Sequence, residues 1–397
     1  MTGIGSDTGA LSALLAGAGV PVSATGVLAV DLRAIARNYR RLREMAGRAE
    51  CAAVVKGNGY GVGACRVASA LFAQGCRTFF VATLDEAAAL RAELPMATIY
   101  VLDGLFPGSA PDFAVHRLRP VLGDPAEIEE WSDCSRTTGK PLPAALHIDT
   151  GMNRLGLKAA DQRQILEDPA RLSGAGIELI MSHLACADTP DHPKNAAQRS
   201  EFARFAAALP PTPLSLANSA GIFLGEEFRF DLVRPGIALY GGNPFARLAN
   251  PMQPAIRLYA RIAQIGEAAA GETVGYGAAL RLKRPTRYVT AAAGYADGYF
   301  RALGSADARA GATAHLDGRP LPILGRVSMD LMVFDVTDLP PGSVRRGGFI
   351  ELIGPNFTVD DAGALAGTMA YEILTNLGSR YTRVYLDAER GGNRDGG

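Results

Sequence analysis

The chain has 397 residues, and Lys+Arg and Asp+Glu each number 40, so its formal net charge at pH 7 is zero. The length exceeds one ordinary domain and allows a large core, while the balanced charge lacks the basic footprint of a nucleic-acid binder. No apolar run approaches the roughly 18 residues a membrane helix needs. The mildly apolar stretch 10–22 has no preceding Lys or Arg, the first being Arg33, which disfavours a secretory signal. Five cysteines (Cys51, Cys65, Cys76, Cys134, Cys186) are odd in number and show no metal-ligand spacing. Reduced thiols in a cytoplasmic protein, with no metal, no membrane partner and no nucleic-acid partner, are the expectation.

Residues 27–31 read as a strand leading into a helix with Leu32, Ile35, Ala36, Tyr39 and Leu42 on one face. Further strands are predicted at 51–55, 78–82, 98–102, 144–148, 179–182, 214–217 and 237–240. Helices are predicted between several of them, such as 84–94 and 195–209. Strands alternating with helices imply a parallel sheet, and about eight strands over about 215 residues suit a closed (β/α)8 TIM-like barrel. An open doubly wound sheet would need a phosphate loop after the first strand, and 31–36 has none. After Gly241 the texture changes. Gly241-Gly242-Asn243-Pro244 with Pro251 and Pro254 marks a linker. Short alternating segments follow at 256–265, 288–293, 312–316, 322–328, 332–336 and 349–353, with a hairpin signal at Asp317-Gly318 and a helix near 362–377. The fold class expected is therefore α/β plus β: a barrel over 27–245 and a C-terminal, mainly antiparallel β-domain over 252–389. Residues 1–26 and 390–397 are expected to be flexible.

The most informative residue is Lys56. An apolar strand ends in an amine and turns at once into Gly57-Asn58-Gly59-Tyr60-Gly61-Val62-Gly63. A lysine in an apolar mouth has a depressed pKa and is partly a free amine, and the glycines let backbone approach a ligand closely. Together they suit a lysine that forms a Schiff base with an aldehyde cofactor. The bland reading is a strand-end lysine snorkelling to solvent. His147, His183 and Asn218 also fall at or just after the C-terminal ends of predicted strands, the end of such barrels that carries active sites.

Further motifs follow Lys56 in order: 147–156 (HIDTGMNRLG), Met181-Ser182-His183, Ala217-Asn218-Ser219, 233–241 (VRPGIALYG), Val274-Gly275-Tyr276-Gly277, 294–298 (GYADG), 325–330 (GRVSMD) and Tyr371-Glu372-Ile373-Leu374. With K-x-N-x-Y-G-x-G at 56–63, the sequence resembles the alanine racemase family over roughly 27–385. The resemblance implies a pyridoxal 5'-phosphate (PLP) enzyme that interconverts L- and D-alanine and supplies D-alanine for peptidoglycan. It implies catalytic bases at Lys56 and Tyr276. Cofactor contacts fall on Lys56, Tyr60, His183, Ser219, Arg234, Gly236 and Ile237, and substrate contacts on Arg154 and Met329. It further implies a homodimer in which Tyr276 and Met329 complete the partner subunit's site. An arginine at the pyridine nitrogen stays protonated and leaves that nitrogen unprotonated, which suits proton return over decarboxylation.

Two positions depart from the family pattern. His147 stands where most members carry a lysine, often as a carbamate, so Arg154 is expected to rest on a bound anion or on other groups. Ser379-Arg380-Tyr381 replaces the usual phosphate-binding tyrosine context, and no residue is assigned there. A broad-specificity racemase is the near rival, and a PLP decarboxylase of the same build a more distant one. A barrel-only PLP carrier would lack 271–330.

Overall fold

The computed structural model describes residues 19–386. They form two compact units, one of residues 35–252 and one of residues 19–34 with 253–386. The flexibility expected of 1–18 and 390–397 concerns residues outside the described part of the chain.

The first unit is the barrel. Seven parallel strands pair in chain order: Ala53–Val54, Thr78–Val81, Thr98–Val101, Arg119–Leu122, Ala144–His147, Ile177–Met181 and Leu214–Ser215. Thr78–Val81 and Ala144–His147 are buried at every position, as strands of a parallel sheet covered on both faces must be. Leu232–Val233 closes the ring. It pairs in parallel with Glu50–Cys51, and the Ala52 and Val54 N–H groups donate to Val233 and Pro235 carbonyls at 3.0 and 2.9 Å. On its other side the Arg234 N–H donates to the Ala217 carbonyl at 2.9 Å.

Local signals set the helix starts. Asp124 caps Pro125–Thr138 in a reciprocal capping box with Glu127, with proline in the first turn. His192 caps Pro193–Ala206 through Nδ1, which accepts the Lys194 N–H at 3.1 Å. Near the start of the unit, Asn38 Nδ2 donates to the Leu239 carbonyl and the Tyr39 hydroxyl to the Cys51 carbonyl, tying the helix Leu32–Ala46 to the barrel wall.

Two strand expectations are corrected here. The segment 237–240 is a 3-10 turn, Ile237–Tyr240, buried at all four residues. A run buried on every side has no periodicity to separate strand from helix. The strand Gly26–Asp31 forms, but it does not open the barrel. It pairs antiparallel with Ile256–Ala268 and parallel with Thr382–Leu386, both in the second unit.

That second unit is built on the 13-residue strand Ile256–Ala268. Besides Gly26–Asp31 it pairs antiparallel with Phe349–Ile353 and Thr286–Ala291, and a bulge between Ile262 and Gln264 bends it from one sheet partner toward the next. Val27, Ala29, Tyr259 and Val384 form a buried cluster, against which Val20 packs. The hairpin expected at Asp317-Gly318 joins Thr313–Leu316 to Arg319–Pro322. Both turn residues have positive φ (50° and 75°), the geometry a two-residue hairpin requires. The single helix expected near 362–377 is two, Val359–Ala366 and Ala370–Thr375, separated by Gly367 at φ 74°. No helix among the described residues is long and apolar enough to cross a membrane.

Candidate active site

Lys56 follows the strand Ala53–Val54 at the barrel's C-terminal mouth and is half-buried. Behind it the backbone makes a left-handed turn: Gly57, Asn58, Gly59 and Tyr60 have φ of 62°, 53°, 64° and 54°. For Gly57 and Gly59 this costs little, and asparagine tolerates it at Asn58; for Tyr60 the left-handed region costs about 1–2 kcal/mol. The turn is held by the Gly59 N–H on the Val55 carbonyl and the Gly61 N–H on the Gly57 carbonyl, at 2.8 and 2.7 Å. Burial pushes the Lys56 amine below its ordinary pKa, and the Arg154 charge lowers it further, while Asp103 and Glu86 oppose the shift.

The turn delivers Tyr60 to the end of the closing strand beside it. Its ring lies 4.7 Å from that of Tyr240, and its hydroxyl is so close to Gly236 that a Cβ built there would fall 2.1 Å from it. Ser219 meets the same point. Its Oγ accepts the Gly236 N–H at 2.8 Å and the Ala238 N–H at 3.4 Å, at the start of the Ile237–Tyr240 turn. The neighbouring turn Gly221–Phe223 takes no bond from Ser219; its Gly221 N–H donates to Asn218 Oδ1 at 2.9 Å. Tyr60, Ser219, Gly236 and Ile237 are thus brought together, a cluster of hydroxyls and helix-start amides suited to an anion.

Arg234 is buried and held on all sides. Nη1 donates to Ser215 Oγ, and Nη2 donates to the Ser182 carbonyl at 2.6 Å and faces His183 Nδ1 at 3.5 Å. Burial pulls its pKa to about 9, which leaves it cationic at neutral pH. His183 and His147 stand in that field. Burial and then Arg234 push both imidazoles down, His147 to about 4 and His183 well below its usual value, so both are neutral. The Nδ1 of a neutral His183 accepts toward the guanidinium. His147 and Arg154 line one open pocket of about 190 Å³ with Asp103. The Arg154 side makes no hydrogen bond or ion pair with another described residue.

Tyr276 and Met329 belong to the other unit, exposed by 72% and 53%. Within that unit the loop that carries Tyr276 packs against the start of the segment that carries Met329. A Cβ at Gly325 would meet the Val274 carbonyl at 2.7 Å, and the Arg326 guanidinium lies against Gly277. Tyr276 opens a 3-10 turn between Gly275 and Gly277, at φ 72° and 71°. The Met329 carbonyl accepts the Ala296 N–H at 3.0 Å. Arg380 anchors this loop. It donates to Asp297 and Asp330 at 2.7 Å each, so the segment left unassigned at 379–381 fixes the Met329 loop.

Three supporting residues were not picked out from sequence. Asp149 lies inside the 147–156 motif. Its Oδ1 accepts the Gly151 and Met152 N–H groups at 2.9 Å, and its Oδ2 takes Lys158 Nζ at 2.6 Å. Burial alone would raise its pKa, but Lys158 and the amides hold it below the ordinary carboxylate value. It thereby shapes the loop that presents Arg154. Gln198 ties the same region together, donating to Thr150 Oγ1 and the His183 carbonyl. Glu86 carries a capping signature, Thr83-x-x-Glu86, which would have marked it as a helix start and no more.

The chain matches the alanine racemase N-terminal domain over residues 30–244 and the alanine racemase C-terminal domain over 255–385. It belongs to the alanine racemase family. An alanine racemase of Methylobacterium nodulans is 52% identical over 361 residues, covering 91% of this chain and 96% of that one. Catabolic and biosynthetic alanine racemases of Agrobacterium fabrum are 47% and 46% identical, each over 91% of this chain and over 92% and 94% of their own. The crystal structure of alanine racemase from Bartonella henselae, with covalently bound pyridoxal phosphate, superposes with a TM-score of 0.86 at 40% identity, over 91% of this chain and all of that one. The family is PLP-dependent, and the residues here fit that cofactor. A half-buried amine of lowered pKa suits its aldehyde, the Ser219–Gly236 cluster its phosphate, and the buried Arg234 cation an unprotonated ring nitrogen.

Proposed function

We propose that this chain is an alanine racemase that interconverts L- and D-alanine with two bases, Lys56 and Tyr276 of the partner subunit. The observation that carries the reading is the barrel mouth itself, where an amine of lowered pKa and a buried arginine cation share one ring of strand ends. PLP, when bound, supplies an electron sink that acidifies the Cα–H of the joined amino acid.

The chain's own residues do the rest. Lys56 takes or returns the Cα proton on one face. The partner subunit's Tyr276 does so on the other, and its phenol needs tuning by neighbours to work near neutral pH. Tyr60, Ser219, Gly236 and Ile237 would hold the phosphate and His183 would lie beside the ring. Arg234 would hold the ring nitrogen and, as a cation at neutral pH, keep it unprotonated, which makes electron withdrawal mild and favours proton return over loss of carboxylate. Arg154 and the Met329 backbone would receive the substrate carboxylate. A decarboxylase reading would want a carboxylate where Arg234 stands.

The homodimer reading draws support from the surface of the C-terminal unit. Tyr276, Tyr295, Met329, Leu331 and Met369 are all large, apolar and exposed, the composition of a surface that covers itself with a partner. Cytoplasmic action and supply of D-alanine for peptidoglycan complete the proposal. The biosynthetic relative supports the latter, although a catabolic one is equally similar. His147 keeps a broader substrate range as the second reading.

The test is chiral analysis of a panel of amino acids incubated with the purified protein and PLP. Alanine is expected to racemise fastest. Faster turnover of several larger amino acids supports the second reading, and racemisation of none rejects both.

A further inference from the structure

One carboxylate beside Lys56 binds the turn itself. Glu86 is the third residue of the helix Leu84–Glu93, and its N–H donates to Thr83 Oγ1 at 3.3 Å. In a full capping box the glutamate carboxylate returns to the N–H of the capping residue. Here it goes elsewhere. Oε2 accepts the Ala82 N–H at 2.9 Å, and Oε1 accepts the Asn58 N–H at 2.9 Å. The second bond crosses to the preceding strand–helix unit and ends inside the left-handed turn that follows Lys56.

That turn needs outside support. Asn58 and Tyr60 are its two residues with a side chain in the left-handed region, the strain being greater at Tyr60, and such residues persist where their surroundings over-determine them. The Asn58 side chain gives one tie, its Oδ1 accepting the Ala64 N–H at 3.1 Å. Glu86 gives another. The charges acting on the Lys56 amine are those of Arg154, Asp103 and Glu86; Arg154 disfavours the ammonium and the two carboxylates favour it.

We infer that Glu86 is a positioning residue for the Lys56 amine, pinning the strained turn through the Asn58 N–H and keeping a negative charge beside the ammonium. The inference rests on the reading of Lys56 as the cofactor lysine. A built-in comparison exists. Glu127 holds the same helix position in Pro125–Thr138 and also reaches back one unit, accepting the Leu105 N–H at 3.0 Å and the Gly123 N–H at 2.6 Å. The staple is thus shared by two units, but only the Glu86 staple ends in the lysine's turn.

The experiment uses the full chain freed of PLP with hydroxylamine. Acetic anhydride labels its amines competitively across a pH series, and the peptide containing Lys56 is quantified by mass spectrometry. In the wild type the labelling midpoint falls below that of an ordinary lysine. Glu86→Gln is expected to move it down by roughly half a unit to one unit, because burial and Arg154 are then opposed by Asp103 alone. Glu127→Gln is expected to leave it in place. An unmoved midpoint in Glu86→Gln, or an equal shift in Glu127→Gln, overturns the inference.

Amide exchange of the wild type needs no variant and covers the case in which Glu86→Gln does not fold. The Asn58 and Ala82 N–H groups should be protected, and exchange of Asn58 at the rate of an open loop overturns the staple. Neither readout depends on turnover. Failure of Lys56 to carry PLP would appear instead in borohydride labelling of the loaded enzyme.

Discussion

The Tyr60 hydroxyl lies where any side chain at position 236 would have to go, since a Cβ on Gly236 falls 2.1 Å from it. Gly236→Ala must therefore displace Tyr60 or break the Gly236 N–H bond to Ser219. PLP affinity should fall about tenfold or more, equivalent to about 1.4 kcal/mol. Far-UV circular dichroism should be unchanged, since Gly236 precedes the Ile237–Tyr240 turn and carries no strand pairing. Equilibrium titration with PLP measures the effect, and wild-type affinity would show that Tyr60 and Gly236 are not near the phosphate.

Lys56 should carry PLP covalently. Borohydride reduction of the loaded enzyme is expected to fix the cofactor to the peptide containing Lys56, and labelling of another lysine would overturn the assignment. Tyr276→Phe should keep PLP bound with its absorbance intact yet lose about 10²-fold or more in racemisation, the usual scale for removing a positioned acid–base group. Full activity in that variant rejects the second base.

If the site is shared between subunits, inactive chains should repair one another. Mixing Lys56→Ala with Tyr276→Phe chains is expected to restore part of the activity, because one of the two sites in a mixed dimer has both bases intact. Native mass spectrometry can show that mixed dimers form; a mixture that forms them and stays inactive places Tyr276 in its own chain's site.

His147 should make the fold sensitive to acid. Its folded pKa of about 4 lies below the unfolded value near 6.5, so the unfolded chain binds the proton first as pH falls. The stability it contributes is full above about 6.5 and drains away between about 6.5 and 4, by roughly 3 kcal/mol at most. His147→Asn should flatten the acid limb of urea unfolding over that window. An unchanged limb would mean that His147 does not stay neutral in the folded state. The same position bears on Arg154. His147→Lys, if it takes up carbon dioxide as a carbamate, should alter substrate preference or the pH–rate profile. Identical profiles, with the carbamate seen by carbon NMR, would show the position to be electrostatically idle.

What could be read in advance follows physical lines. Lys56 stood out because an apolar strand ending in an amine and a glycine-rich turn is a local pattern, and the structure puts it at the mouth as expected. Arg119–Leu122 was missed because Arg119 and Pro120 interrupt its apolar run, and Leu232–Val233 because two residues give no period. Gly26–Asp31 was seen as a strand yet set in the wrong sheet, since an apolar run does not encode its pairing partner. Asp149 and Glu86 act through backbone amides, and no side-chain spacing announces such bonds. The role of Tyr276 came from family resemblance alone, as an exposed tyrosine between glycines has no local signature of a base.

The closure of the barrel sets an order of events. Val54, next but one to Lys56, receives the Tyr240 hydroxyl from 186 residues further along and passes its own N–H to Pro235. The lysine turn and the Ser219–Gly236 cluster are therefore strangers in an emerging polypeptide until Tyr240 has been made and the last strand has docked on the first. Contacts of such sequence separation form late and slowly. A cofactor gripped from both sides of that seam would bind the closed ring alone, and by mass action it would act as a clasp on a seam otherwise held by a few backbone bonds.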